Sequence, residues 1–107
     1  MKQNISKDYL LDTLRQELPT LRLEYGVEKI AIYGSFAKDV PTPKSDIDIL
    51  VELSRPLGYG FVRLAAHLER TLGRRVDLTT SESLKTSASN PRRAHIVAEI
   101  ERTLVYA

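Results

Sequence analysis

GSFAKDVPTPKSDIDILVEL, residues 34–53, sets a Gly-Ser turn and a proline-bearing polar segment ahead of an apolar run headed by two aspartates. Side chains two apart on a strand share a face, so Asp46 and Asp48 point together while Ile47, Ile49 and Val51 point into the opposite layer. At about 3.3 Å of rise per residue their Cα atoms stand about 6.6 Å apart, and two carboxylates at that spacing can converge on one divalent cation. Magnesium takes oxygen ligands at about 2.0–2.1 Å and is held by one or two carboxylates together with substrate phosphates. Gly34 lets the backbone approach a phosphate with no Cβ in the way, and the Ser35 hydroxyl with nearby amides can donate to phosphate oxygens. A helix starting at that corner would add a favourable dipole. Gly-Ser alone is an ordinary turn and Asp-x-Asp alone an ordinary strand edge; their succession points to a site for a nucleoside triphosphate and its metal.

Working outward, Val27–Tyr33 reads as a strand whose Ile30-Ala31-Ile32 centre is apolar enough to be buried on both faces. Ahead of it Ser6 caps a helix with Asp8 in its first turn and Leu10, Leu11, Leu14, Leu18 and Leu21 on one face. Pro19 predicts a kink or a division of that helix, and Gly26 its end. Residues 38–45 form a loop, preceded at most by one short helical turn, and Ile47–Leu53 is the second strand. Arg55-Pro56-Leu57-Gly58 marks the exit, followed by a helix built on Phe61, Leu64, Ala65, Leu68 and Leu72 and ended by Gly73. Residues 75–79 make a third strand. Residues 81–89 read as a short helical turn and then a linker. Asn90-Pro91 supplies an N-cap and a first-turn proline for a last helix carrying Ile96, Val97, Ile100 and Leu104. That stripe packs on its own sheet or on a partner, which leaves a homo-oligomer open. Helices alternating with strands give an α/β (α+β) fold, a small mixed sheet of three to four strands covered by helices. At 107 residues the expectation is one domain, 1–107.

Asp77 lies in the third strand between apolar neighbours. With that strand beside the one bearing Asp46 and Asp48, three acids meet at one sheet face and repel one another unless a cation is present. Two ions about 3.5–4 Å apart could then activate an attacking oxygen and stabilise a leaving pyrophosphate. Arg75, two residues before Asp77 and on its face, is favoured over Arg74 to neutralise phosphate. His67 and His95 have no metal-ligand spacing and read as surface or interhelix residues. Tyr9, Tyr25 and Tyr59 read as packing residues with a wet hydroxyl, and Tyr106 as packing or interface.

With 42% hydrophobic and 28% charged residues the composition is that of a soluble globular chain. The absence of cysteine excludes disulfides, zinc-thiolate sites and thiol catalysis, and is compatible with a reducing compartment. No apolar run spans a bilayer, and MKQNISKDYLLDTLRQ has neither the apolar core nor the cleavage site of a signal peptide, so a cytoplasmic protein without membrane contact is expected. A net charge of +2, with a pI near 9.0 but no dense basic stripe, gives no strong nucleic-acid signal.

Gly34-Ser35-Phe36-Ala37 followed by Ser45-Asp46-Ile47-Asp48-Ile49-Leu50-Val51 resembles the signature of the DNA polymerase β-like nucleotidyltransferases, and more narrowly the minimal nucleotidyltransferase (MNT) antitoxins. Gly73-Arg74-Arg75-Val76-Asp77-Leu78 is similar to that family's third-carboxylate strand, and the final helix falls where the family's does. The resemblance implies that Asp46, Asp48 and Asp77 are catalytic, with Asp46 and Asp48 as Mg2+ ligands and Asp77 the third acid of the metal site, helping to activate the acceptor oxygen. It makes Gly34 and Ser35 the triphosphate corner, with Lys38, Ser45 and Arg75 completing the nucleotide-binding set. The implied reaction moves AMP from ATP to a hydroxyl, a tyrosine's, of a partner HEPN-type ribonuclease toxin. The alternatives are an antitoxin that acts by binding alone and a nucleotidyltransferase of small molecules such as antibiotics. The short chain leaves no residues for an acceptor-gripping domain, which favours a protein acceptor. One departure stands inside the signature: Ala37-Lys38-Asp39 replaces Ala-Arg-Gly. Lysine keeps the charge but loses the bidentate fork, and Asp39 brings negative charge close to the phosphates, so weaker nucleotide binding is expected.

Overall fold

A computed structural model describes residues 5–107, and the part of the leader reading that rests on residues 1–4 lies outside them. Helix α1 (Lys7–Tyr25) opens at Ser6, whose hydroxyl accepts the Tyr9 N–H at 3.1 Å, and closes at Gly26 in the left-handed conformation, φ 69°. Its apolar face buries Leu10, Leu14 and Leu21. The expected division at Pro19 does not occur: α1 continues through it. Pro19 is exposed, as is Arg15, whose carbonyl the missing N–H would have bonded, and apolar contacts on both sides of Pro19 hold the helix to the sheet.

Strand β1 (Val27–Tyr33) leads directly into a four-residue helix, α2 (Gly34–Ala37); after the 38–45 loop come β2 (Ile47–Leu53), α3 (Gly60–Leu72) and β3 (Val76–Thr80). The chain finishes with α4 (Ser81–Ala88), α5 (Ala94–Thr103) and a two-residue strand, β4 (Val105–Tyr106). The mixed four-stranded sheet has the order β3-β2-β1-β4, with β1 antiparallel to both β2 and β4, and β2 parallel to β3. A parallel pair needs a crossover, and α3 provides it.

Alternation assigns the two faces. Ile30, Ile32, Ile47, Ile49 and Val51 join Leu10, Leu14, Leu21, Leu64, Leu68 and Leu72 in one core between the sheet and helices α1 and α3. Tyr33, Asp48, Leu50 and Thr79 look the other way, toward α4 and α5, where Val97 is buried. No helix of the described residues is long and apolar enough to cross a membrane.

The C-terminal third departs from the sequence expectations. Residues 81–88 are helical throughout rather than a turn and linker; Thr80 caps them, its Oγ1 accepting the Ser83 N–H at 3.0 Å. Asn90-Pro91 does not start the last helix, because the Asn90 side chain accepts the Arg92 N–H and its carbonyl accepts the Arg93 N–H, forming a turn that delays α5 to Ala94. Leu104 lies past the end of α5, where the chain becomes extended so that Val105 pairs with Ile32 and Tyr106 with Ala31. The third strand begins at Val76, leaving Arg75 just ahead of it.

Candidate active site

The sheet register brings three polar positions side by side: Tyr33 at the end of β1 pairs with Asp48 on β2, and Asp48 pairs with Asp77 on β3. Asp46 lies one residue before β2, on the Asp48 face. All three sequence-predicted acids therefore meet at one end of the sheet, on the side of α4 and α5. The Asp48 carboxyl is pushed up to about 6, first by burial and then by the charges of Asp77 and Asp46. The Tyr33 phenol is also raised, chiefly by burial, against the opposing effect of its hydrogen bond with Thr79 Oγ1 at 3.2 Å.

Among the described residues no three metal-binding side chains are gathered tightly enough to enclose an ion by themselves. Like charges stand apart, and magnesium needs only one or two carboxylates beside substrate phosphates, so the oxygen-only donor set of Asp46, Asp48 and Asp77 fits it.

Gly34 stands against these acids more tightly than the sequence suggests. Its φ is 72°, and a Cβ there would lie 2.3 Å from Asp48 Oδ2. The corner and the acid are therefore in contact, and only glycine permits it. The Gly34 N–H donates to Thr103 Oγ1 on α5 at 3.1 Å, and the Lys38 ammonium donates to the Glu99 carboxylate, also on α5, at 3.1 Å. Ser35 is half-buried beside them. Asp39 is, among the described residues, the non-glycine with positive φ, 60°, so the backbone keeps a glycine-like turn where the sequence has aspartate.

Ser45 is occupied in the loop: its hydroxyl accepts the Thr42 N–H at 2.8 Å and meets Thr42 Oγ1 at 3.1 Å. The two arginines separate. Arg75 is exposed beside Asp46, with its carbonyl accepting the Ile47 N–H at 2.9 Å. Arg74 donates to the Ser45 and Thr42 carbonyls, each at 2.8 Å, and its guanidinium lies 5.0 Å from the centre of the Phe36 ring. It fixes the loop that delivers Asp46. Sequence reasoning missed this role, as it missed Tyr33, Thr79, Glu99 and Thr103; only the i,i+4 spacing of Glu99 and Thr103 hinted at a shared polar face.

A cavity of about 540 Å³ adjoins Asp48, bounded with it by Tyr33, Gly34 and Lys38 and, across from them, by α5 from His95 to Thr103. That volume suits a small-molecule ligand. His95 is at its rim, while His67 is an interhelix residue, edge-on to Tyr25 and 3.5 Å from Glu17. Tyr59, expected to pack, is 93% exposed because the turn before Gly60 faces outward.

The sequence pattern of the nucleotidyltransferase domain matches residues 11–105. The chain belongs to the nucleotidyltransferase family. This nucleotidyltransferase is 41% identical over 96 residues, 89% of its length and 91% of the relative's, to a Methanocaldococcus jannaschii protein named as a protein adenylyltransferase. It is 40% identical over 67 residues, 62% of its length and 68% of the relative's, to the protein adenylyltransferase MntA of Thermococcus cleftensis. Among solved structures, a minimal nucleotidyltransferase superposes with a TM-score of 0.69 at 25% identity, over 97% of this chain and 98% of that one. The toxin–antitoxin MntA–HpeT shares the fold, with a TM-score of 0.58 at 21% identity over 97% of this chain and 72% of that one. The nucleotidyltransferase is thus of the minimal kind, a four-stranded mixed sheet and its helices.

Proposed function

We propose that this nucleotidyltransferase moves AMP from ATP to a tyrosine hydroxyl of a partner HEPN-type ribonuclease toxin in the cytoplasm and so neutralises it. The observation that carries the reading is the in-register pair Asp48 and Asp77 with Gly34 in contact with Asp48, in a chain whose relatives are named as protein adenylyltransferases. The toxin and its tyrosine rest on the resemblance of the signature to the MNT antitoxins.

In the reaction the acceptor oxygen bonds to the α-phosphorus, the bond from that phosphorus to the bridging oxygen breaks, and pyrophosphate leaves. Asp46 and Asp48 would hold magnesium, with Asp77 completing a two-metal site. When bound, the metal neutralises phosphate charge and lowers the pKa of the acceptor hydroxyl. Asp77 orients that hydroxyl and draws its proton. Gly34 and Ser35 admit the phosphates, Lys38 and Arg75 offset their charge, and Ser45 acts through the loop it closes.

One observation favours the second reading, an antitoxin that works by binding alone: α5 engages both the Gly34 amide and Lys38. Co-expression of the neighbouring toxin with this protein or with Asp46→Asn separates the two. An AMP increment in the toxin's intact mass that requires Asp46 supports transfer. Neutralisation without any increment, unaffected by the substitution, establishes binding alone. A mass gain on an aminoglycoside instead of the toxin would overturn both.

A further inference from the structure

Helix α5 presents two polar groups to the phosphate corner, one helical turn apart: Thr103 Oγ1 accepts the Gly34 N–H and the Glu99 carboxylate accepts from Lys38, each at 3.1 Å. Both α5 residues line the same cavity as Gly34, Lys38 and Asp48. A carboxylate that accepts from an ammonium makes the contact a phosphate oxygen would make there. Lys38 meets this competition with a single nitrogen, whereas an arginine's five donors on a planar fork can serve a carboxylate and a phosphate together.

We propose that Glu99 sets the affinity of the nucleotide site by competing with triphosphate oxygens for Lys38. This rests on the nucleotidyltransferase reading of the site. The exchange is an easy one. The Lys38–Glu99 pair is exposed, with 48% and 44% of the two side chains accessible, and such pairs are weak. Glu99 also contacts Arg102, so it keeps a cation when Lys38 turns to phosphate. The Lys38 hydrogen bond, foremost, holds the Glu99 carboxyl below its usual range, as expected of a carboxylate that accepts from an ammonium. Glu99 is thus the intrachain counterpart of the Lys38 departure: it restrains the lysine and limits binding of any nucleoside triphosphate.

A double-mutant cycle tests this by titrating ATP with magnesium, calorimetrically and at fixed ionic strength, into the wild type, E99Q, K38M and E99Q/K38M. E99Q should bind about two- to fivefold more tightly than wild type, the upper part of what an exposed ion pair is worth. In the K38M background the same change should alter affinity less than about twofold. Melting curves of all four proteins check that each is folded, and both positions are exposed enough to tolerate substitution. Equal affinity of wild type and E99Q overturns the inference alone, as does an equal gain with and without Lys38, which would mean that Glu99 acts only as general negative charge. Failure of all four folded proteins to bind ATP would overturn the nucleotidyltransferase reading and this inference with it.

Discussion

Burial and the neighbouring carboxylates of Asp77 and Asp46 push the Asp48 carboxyl up to about 6, above its ordinary value of 3.8. Below 3.8 both folded and unfolded chains carry the proton and no penalty exists; between 3.8 and about 6 the unfolded chain loses it first, and above that window the penalty on the folded state is complete. A shift of about two units corresponds to at most about 3 kcal/mol, and solvent screening of a half-exposed carboxyl reduces this to about 1 kcal/mol. Without metal the wild type should therefore melt higher at pH 5 than at pH 7.5. Asp48→Asn should remove that difference and raise Tm at pH 7.5 by about 4–8 °C, the response of a small domain to about 1 kcal/mol. Magnesium should stabilise the wild type at pH 7.5 and leave the variant unchanged, as differential scanning fluorimetry would show. Gly34→Ala meets left-handed strain and the Asp48 carboxylate at once, so a cost of about 1–3 kcal/mol and loss of nucleotide binding are expected from denaturant melts and titration. The acids and the glycine were legible as residue types at telling spacings. Their contact was not, because it depends on a left-handed φ and a strand pairing that no local pattern encodes.

The elements that sequence periodicity reveals are those with a buried stripe. Helices α1 and α3 put apolar side chains on one face, and strands β1 and β2 carry short apolar runs buried on both faces, so their existence was readable. Helix α4 buries no residue and carries three serines and a threonine, so its sequence resembles a linker while Thr80 and the neighbouring α5 make it a helix. Strand β4 is two residues long and gains its identity from β1, not from its own composition. Asn90-Pro91 looked like a helix start because the Asn side chain caps either a helix or a turn, and here the turn prevails. Thr80→Ala removes the α4 cap and should cost about 1 kcal/mol in a chemical melt. Its effect should be felt first as faster amide exchange within α4, the helix without buried side chains.

Across the whole molecule, the core and the site share one sheet but use opposite faces. The apolar face packs on α1 and α3, and the crossover through α3 is what places β3 parallel to β2 with Asp77 level with Asp48. Loss of a core side chain should therefore cost stability, and loss of a site carboxylate should not. Leu68→Ala, at a fully buried core position, should cost about 2–5 kcal/mol. Asp77→Asn should abolish transfer while leaving stability equal or slightly higher, since it removes one of the charges that oppose Asp48 ionisation. Paired urea melts and adenylylation assays on the two variants would show the separation. Strand β4 also decides where α5 can sit. Val105, Tyr106 and the Ala107 amide, bonded to the Ile30 carbonyl at 2.9 Å, join the Gly34–Thr103 hydrogen bond in tethering the trailing end of α5 to the sheet. Val105→Gly weakens that pairing and should loosen α5 over Gly34 and Lys38, which a shift in apparent ATP affinity on titration would show.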